Sequence, residues 1–309
     1  MKILVTGGAG YVGSVLIPRL LNAGHHVRVL DNLMYGGASL LPHFSYPNFE
    51  FIKGNILDEP KVRQAVKGVD AIIHLAAIVG YPACKKNEQL AHDVNFIGTK
   101  IVEKNRERGQ LVLYASTGSN YGAVVGQICT ETTPLNPLTI YGRTKTQAEQ
   151  HLLDSPNTIC YRYATAFGVS PRMRLDLLIN DFVYQAVKVR NLIIYERTFK
   201  RTFIHVIDMA RSFMFALENA ERMIGNVYNV GSENMNYSKE DIADLVRRKV
   251  DFYLHYADVG KDEDQRNYEV SYEKIHALGF QTTISVEQGV DELMRAYETI
   301  DIRNPLSNV

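Results

Sequence analysis

Short apolar runs alternate with amphipathic stretches through the first half of the chain. The runs have the length of buried strands, and they span 2–5, 26–30, 49–53, 71–75, 110–114 and 158–163. Between them, apolar residues recur at helical spacing in 11–22, 59–66, 93–108 and 141–153. This alternation predicts a doubly wound α/β fold, in which helices cover both faces of a parallel sheet. Ligands of such sheets bind beyond the carboxyl ends of the strands.

The pattern changes after about residue 168. A loop-like segment at 170–174 precedes a predicted helix at 175–190, a further buried strand is predicted at 226–230, and 238–309 is predicted as two or three helices joined by loops. We therefore predict a sheet domain of residues 1–170, to which 205–235 adds a strand and a helix. Residues 171–204 and 236–309 are predicted to form a smaller mixed α/β C-terminal domain over the ligand crevice.

Charge and cysteine content argue against several classes of protein. The 34 basic and 34 acidic residues cancel, so no basic field points to nucleic acid. Cys84, Cys129 and Cys160 are far apart and odd in number, which favours a reducing cytoplasm and gives neither a metal site nor a disulfide framework. No apolar run has the length of a membrane helix, and the chain begins directly with a strand, so neither membrane insertion nor a signal peptide is expected.

A glycine-rich turn joins the first strand to the first helix. Its sequence is Thr6-Gly7-Gly8-Ala9-Gly10-Tyr11-Val12-Gly13. Gly7 permits a tight turn, Gly10 lets the backbone approach a phosphate, and Gly13 lets helix and strand pack closely. Unpaired amides and the helix dipole favour an anion at a helix N-terminus. The turn therefore predicts a dinucleotide pyrophosphate site, and an ordinary strand-to-helix turn is the alternative.

Asp31 ends the second predicted strand, 18 residues past Gly13. A carboxylate at this position accepts hydrogen bonds from the hydroxyls of the adenosine ribose and repels a 2′-phosphate, which favours NAD over NADP. The alternative is an aspartate that stabilises a turn at the end of a strand.

The spacing Tyr-x-x-x-Lys occurs three times, at Tyr81/Lys85, Tyr141/Lys145 and Tyr184/Lys188. Residues four apart share a face only on a helix. Tyr141 and Lys145 open the helix after the fifth strand, where both side chains can face the crevice. There the lysine ammonium lowers the tyrosine pKa, so that Tyr141 can act as a general base on a hydroxyl. A surface Tyr–Lys pair is the alternative.

A hydroxyl-rich segment follows the fifth strand, 24 residues before Tyr141. It contains Ser116, Thr117 and Ser119. Thr117 can bond the same substrate oxygen as Tyr141, and the alternative is a hydroxyl that caps a turn.

Several motifs together resemble the extended short-chain dehydrogenase/reductases that modify nucleotide sugars. They are the glycine turn, His74-Leu75-Ala76-Ala77, Asn95 before Gly98-Thr99, Ser116-Thr117, Tyr141-x-x-x-Lys145, Arg201-Thr202-Phe203-Ile204-His205-Val206 and Asn229-Val230-Gly231. A nearer resemblance is to the branch that includes GDP-heptose 4-dehydrogenases. It rests on Leu30-Asp31-Asn32-Leu33-Met34, Ser170-Pro171-Arg172-Met173-Arg174 and Asp264-Gln265-Arg266-Asn267-Tyr268.

The resemblance implies a role for each matching residue. Tyr141 takes the proton of the sugar C4 hydroxyl, Lys145 holds the nicotinamide ribose and lowers the Tyr141 pKa, and Thr117 orients the C4 oxygen. The implied NAD-binding residues are Gly7, Gly10, Tyr11, Val12, Gly13, Asp31, Asn32, Asn55, Ile56, Leu75, Ala76, Ala77, Tyr141 and Lys145. The implied substrate-binding residues are Ser116, Ser119, Thr165, Arg172, Arg174, Asn180, Arg201 and Arg266. The family also implies a nucleotide-sugar substrate and a homodimer formed through helices such as 93–108 and 141–153.

Gly118 and Ser119 depart from the pattern of the 4,6-dehydratases, which carry an Asp-Glu pair directly after the catalytic Thr. Neither residue can shuttle protons as that pair does, so dehydration is not expected. The expected reaction is therefore NAD-dependent oxidation at C4 of a GDP-heptose- or hexose-like substrate. The enzyme that carries it out is expected to be either a 4-dehydrogenase or a 4-epimerase. The alternatives are a 4-ketoreductase, the less favoured 4,6-dehydratase and a non-catalytic dinucleotide sensor.

Overall fold

The computed structural model of the protein describes residues 1–124, 127–257 and 269–302. Its strands are β1 (Lys2–Thr6), β2 (His26–Asp31), β3 (Phe49–Lys53), β4 (Ala71–His74), β5 (Leu111–Thr117), β6 (Ile128–Cys129), β7 (Thr158–Tyr163), β8 (Thr165–Phe167), β9 (Asn191–Tyr195), β10 (Lys200–His205), β11 (Asn226–Val230), β12 (Asn236–Ser238), β13 (Tyr253–Ala257) and β14 (Glu269–Val270). Its α-helices are α1 (Gly13–Asn22), α2 (Glu59–Val66), α3 (Tyr81–Lys86), α4 (Glu88–His92), α5 (Gly98–Asn105), α6 (Ile140–Leu153), α7 (Leu178–Tyr184), α8 (Val206–Glu218), α9 (Ala220–Met223), α10 (Lys239–Arg247), α11 (Glu273–His276) and α12 (Val286–Thr299).

Seven strands form one parallel sheet in the order β11-β7-β5-β4-β1-β2-β3. Alternate residues of β1 enter different cores: Ile3 and Val5 pack with apolar residues of α1 and α8, whereas Leu4 packs with those of α2 and α6. Helices therefore cover both faces, and the predicted doubly wound α/β sheet is confirmed.

A second hydrophobic core lies between α7, α10 and α12 and includes Phe167, Ile179, Val246 and Leu293. Around it are the sheet β12-β10-β8 and the parallel pair β13-β9. We refer to this part of the protein as the second lobe, and to the seven-stranded sheet with its helices as the first lobe. The exact division into domains stays a prediction.

The expectation of helices and loops alone after residue 238 is wrong, because β13 and β14 lie there and pair with β9 and β6. These strands are short and half-exposed, with Tyr253 of β13 65% accessible, so they lack the continuous apolar run that marks a buried strand. Two other boundaries also differ from prediction. Asn87 accepts the backbone N–H of Leu90 and starts α4 ahead of the predicted helix. The predicted fifth strand ended at Tyr114, but β5 continues to Thr117 because its last residues pair with β7.

Within the described ranges, each helix is too short or too polar to span a lipid bilayer.

Candidate active site

A cavity of about 270 Å³ lies beyond the carboxyl ends of the central strands. It is bordered by the glycine turn, the ends of β2 and β5, the start of α6 and the segment 163–177. Four charged side chains line it among the residues that the structure describes: Asp31, Lys145, Arg172 and Arg174. The two arginines stay charged and outnumber the single carboxylate on the cavity wall, which suits the cavity to an anionic ligand.

The glycine turn presents bare backbone to this cavity. Gly7 has φ +72°, and a Cβ on it would lie 2.7 Å from the backbone nitrogen of Ala76. A Cβ on Gly13 would lie 2.5 Å from the carbonyl oxygen of Gly8. The N-cap residue of α1, Val12, makes no capping hydrogen bond with its side chain. The turn and the first turn of α1 therefore fit the pyrophosphate of a dinucleotide, which needs close backbone approach and a positive helix end.

The end of β2 holds a carboxylate beside the glycine turn. Asp31 accepts the backbone N–H of Ala9 at 2.9 Å and that of Leu33 at 2.8 Å, so its orientation is fixed from both sides. Burial raises the pKa of Asp31, against the lowering effect of the two amides and of Arg172. The other predicted NAD-binding residues also line the cavity: Gly10, Tyr11, Val12, Asn32, Asn55, Ile56, Leu75, Ala76 and Ala77.

Thr117, Tyr141 and Lys145 line the same cavity, although they come from two separate elements. The hydroxyl of Thr117, the last residue of β5, donates to the Ser119 hydroxyl and accepts its backbone N–H, both at 3.2 Å. Tyr141 stands in the first turn of α6, which Thr139 caps by accepting the N–H of Gly142. Neither Tyr81/Lys85 nor Tyr184/Lys188 lines the cavity.

Lys145 is buried deeply at the wall of the cavity. Its side chain is 3% exposed, and its ammonium lies 4.0 Å from the centre of the Tyr114 ring. The imidazole of His74 also stacks on Tyr114, with 5.7 Å between the ring centres, and burial lowers the pKa of His74 to about 3. Burial also lowers the pKa of Lys145 to about 7. A bound anion or phenolate would favour the charged form of this lysine.

A buried ion pair supports the wall behind these residues, and sequence analysis missed it. Glu149 lies one helical turn beyond Lys145 and bonds Arg162 of β7 at 2.6 Å. Asn120 donates to Glu149 at 3.1 Å and to the hydroxyl of Ser116 at 3.0 Å. This network fixes β5, α6 and β7 relative to one another. The sequence feature that could have indicated this ion pair is Arg162, a charged residue inside the apolar run of β7.

The predicted substrate-binding residues do not all line the cavity. Ser116, Thr165, Arg172 and Arg174 line the cavity. Ser119 and Arg201 are buried outside its lining, and Arg266 lies outside the described residues. Arg174 forms an ion pair with Asp176, with 3.1 Å between the Arg174 Nε and a carboxylate oxygen.

Asn180 lies behind the cavity rather than on its wall. Its side chain is fully buried, accepts the backbone N–H of Gly168 at 2.9 Å and donates to the Tyr11 hydroxyl at 3.3 Å. That hydroxyl in turn donates to the carbonyl of Gly168 at 2.7 Å. The hydroxyls of Ser14 and Ser170 meet alongside at 2.9 Å. These contacts tie the glycine turn of the first lobe to the second lobe.

The comparisons with known proteins agree with this geometry. A model of the NAD dependent epimerase/dehydratase family matches residues 3–231. The chain is 27% identical to a CDP-paratose 2-epimerase from Salmonella typhi, over 95% of this chain and 98% of the relative. It is 28% identical to a UDP-glucose 4-epimerase from Corynebacterium glutamicum, over 80% of each.

Solved structures share the fold across almost the whole chain. A UDP-glucuronic acid 4-epimerase from Bacillus cereus, in complex with UDP-glucuronic acid and NAD, superposes with a TM-score of 0.86 at 26% identity, covering 96% of this chain and 99% of that one. A dTDP-glucose 4,6-dehydratase from Bacillus anthracis, in complex with NAD, gives 0.83 at 26% identity over 96% of each chain. The chain therefore belongs to the NAD dependent epimerase/dehydratase family and is an NAD-dependent enzyme.

Proposed function

We propose that this enzyme oxidises the C4 hydroxyl of a nucleotide-activated sugar. The observation that carries the proposal is that Thr117, Tyr141 and Lys145 line one cavity together with the glycine turn. A base, a cation and a hydroxyl are thereby placed beside the predicted cofactor site. Relatives named as epimerases of UDP- and CDP-sugars support a nucleotide sugar as the substrate.

Each of the three residues has a distinct task in this proposal. NAD, when bound, supplies the acceptor for the hydride that leaves C4. Tyr141 accepts the proton of the C4 hydroxyl as general base. Lys145 favours the phenolate form of Tyr141 through its charge and bonds the nicotinamide ribose. Thr117 orients the C4 oxygen by turning its single hydroxyl proton from Ser119 to that oxygen.

The remaining cavity residues hold the two ligands. Asp31 and Asn32 bond the adenosine ribose, while Asn55 and Ile56 border the adenine. Leu75, Ala76 and Ala77 pass beside the cofactor. Arg174, already oriented by Asp176, supplies a planar donor to the sugar diphosphate.

The proposal also includes the class of sugar substrate and the oligomeric state. A GDP-heptose- or hexose-like substrate follows from the resemblance to the GDP-heptose 4-dehydrogenase branch. We also propose a cytoplasmic homodimer with α5 and α6 at its interface, which light scattering on the purified protein tests.

Gly118 and Ser119 favour oxidation without dehydration. Neither side chain can act as acid or base at the sugar C5 and C6, and the Ser119 hydroxyl already bonds Thr117. Two outcomes follow from the same residues. A 4-epimerase returns an isomeric sugar, and a 4-dehydrogenase releases a keto sugar together with NADH.

Mass spectrometry of the protein incubated with NAD and GDP-, UDP-, CDP- or dTDP-sugars, read beside the NADH absorbance, tests the proposal. An isomer without net NADH identifies an epimerase, and a product two hydrogens lighter identifies a dehydrogenase. Loss of water would contradict the inference from Gly118 and Ser119.

Tyr141→Phe tests the proposed base. We expect turnover to fall about 10²-fold or more, because the proton acceptor is lost. Tyr184→Phe is the matched control, since Tyr184 has the same spacing to a lysine but lies away from the cavity. Unchanged turnover in Tyr141→Phe would refute the assigned role.

A further inference from the structure

His74 ends β4 directly before the segment 75–77, which lines the cavity. Its own side chain is 1% exposed and lies outside that lining. In the parallel register of β1 and β4 it stands opposite Thr6, the residue that leads into the glycine turn. His74 is therefore a buried titratable group between the glycine turn and the cavity wall that follows β4.

Both ring nitrogens of His74 have a hydroxyl partner. Nε2 lies 3.0 Å from the Thr99 hydroxyl oxygen, and Nδ1 lies 2.6 Å from that of Thr6. Burial, aided by the charge of Lys145, lowers the pKa of His74 to about 3, so the imidazole is neutral at physiological pH. The Thr99 hydroxyl donates its single proton to the carbonyl of Asn95 at 2.7 Å, so it accepts from His74. These bonds assign the imidazole proton to Nε2 and leave Nδ1 as the acceptor.

This tautomer determines what the Thr6 hydroxyl can do. Since its proton goes to Nδ1 of His74, the Thr6 oxygen is oriented to accept the backbone N–H of Ala76, at 3.3 Å. Ala76 is also where the glycine turn meets the cavity wall, because a Cβ on Gly7 would lie 2.7 Å from its backbone nitrogen. The spacing between the turn and this wall therefore depends on a hydroxyl that His74 holds in one orientation.

We infer that His74 is a positioning residue of the NAD site: its Nδ1 orients the Thr6 hydroxyl, which holds Ala76 against the glycine turn. His74 lies behind the wall and acts on the cofactor through Thr6. The inference concerns NAD binding alone, so it goes beyond the proposed function and does not depend on which sugar is oxidised.

Two variants of His74 separate the tasks of its two ring nitrogens. In His74→Asn an amide oxygen can take the place of Nδ1, and in His74→Gln an amide nitrogen can take the place of Nε2. Calorimetry of NAD binding to the full-length protein, without any sugar, gives the dissociation constant. We expect this constant to rise about five- to tenfold in His74→Gln and to stay within about twofold of the wild type in His74→Asn, because asparagine keeps an acceptor for Thr6.

Thr6→Val removes the hydroxyl and keeps the shape of the side chain. We expect the same five- to tenfold rise in the NAD dissociation constant, at about the magnitude of one hydrogen bond. The double variant Thr6→Val/His74→Gln should bind NAD no more weakly than Thr6→Val, because the two residues act as a unit. Additive effects, or wild-type affinity in Thr6→Val, would overturn the inference even if His74→Gln failed to fold.

His43→Gln is the matched control. His43 is also a buried histidine of the first lobe, 6% exposed, and it lies outside the cavity lining. Its NAD dissociation constant should equal that of the wild type. A merely structural His74 would lower the stability of both amide variants in urea without separating their NAD affinities, so equal dissociation constants in His74→Asn and His74→Gln would overturn its assigned role. Absence of sugar turnover would refute the proposed function and leave this result untouched.

Discussion

The buried ammonium of Lys145 is expected to destabilise the folded protein when no ligand is bound. Burial lowers its pKa from 10.5 to about 7. A tenfold change in proton affinity corresponds to about 1.36 kcal/mol, so the difference of about 3.5 between these pKa values sets a ceiling of about 5 kcal/mol on the cost of the folded, charged side chain. The ring of Tyr114 offsets up to about 2 kcal/mol of that cost.

Lys145→Met keeps the aliphatic stem and removes the charge. We expect the free energy of unfolding of the nucleotide-free protein to rise by about 3 kcal/mol at pH 6, measured by urea denaturation. Below pH 7 both states of the wild type are protonated and the full cost is present. Between pH 7 and 10.5 the folded protein gives up the proton and the unfolded chain keeps it, so wild-type stability rises and the advantage of the variant shrinks.

Lys239→Met is the control for this experiment. Lys239 is 8% exposed, but its ammonium donates to the carbonyl of Tyr195 at 3.1 Å, so its removal loses a hydrogen bond and should bring no gain. Two results would refute the reasoning about Lys145: a variant less stable than the wild type at pH 6, or a gain of equal size at pH 6 and pH 10.

Three further changes test other parts of the site. Glu149→Gln leaves the Arg162 charge buried and should lower the free energy of unfolding by about 3 to 5 kcal/mol in urea, whereas a loss below about 1 kcal/mol would contradict the assigned pairing. Gly13→Ala places a Cβ 2.5 Å from the Gly8 carbonyl and should weaken NAD binding in calorimetry at least about tenfold. The wild type should bind NAD more tightly than NADP, and Asp31→Asn should narrow that difference; an NADP preference in the wild type would refute the role of the carboxylate.

The seven-stranded sheet was predictable because its central strands β1, β4, β5 and β7 are buried on both faces. Apolar runs indicated the positions of β1, β2, β4, β5, β7 and β11 to within a few residues, and the edge strand β3, whose apolar residues alternate with Glu50, was also predicted. The pair β9–β13 escaped prediction because one face is exposed: Ile193 is 48% and Tyr195 41% accessible. An apolar run also says nothing about where backbone pairing stops, so the extension of β5 to Thr117 appeared only in the structure.

The site was predictable where its residues lie at fixed positions along one segment. The glycine turn, Asp31 and the Tyr141–Lys145 helix follow strand ends, and parallel strands bring those ends together. The contact between Arg172 and Tyr35 joins distant segments, and no local spacing indicates it. Nor does the sequence distinguish Asn180, which supports the turn from behind, from residues on the cavity wall.

The hydrogen bonds among Tyr11, Gly168 and Asn180 limit the exchange of the second lobe between related enzymes during evolution. If the two lobes met only through apolar surfaces, the second lobe of one relative could replace that of another as a unit. Here the exchange would deprive the buried Tyr11 hydroxyl of the Asn180 donor unless the incoming lobe carried an asparagine at that position, whereas the Gly168 acceptor is a backbone carbonyl. Chimaeras that respect this trio should fold, and new substrate preferences should therefore arise more readily from substitutions along the cavity wall than from replacement of the whole lobe.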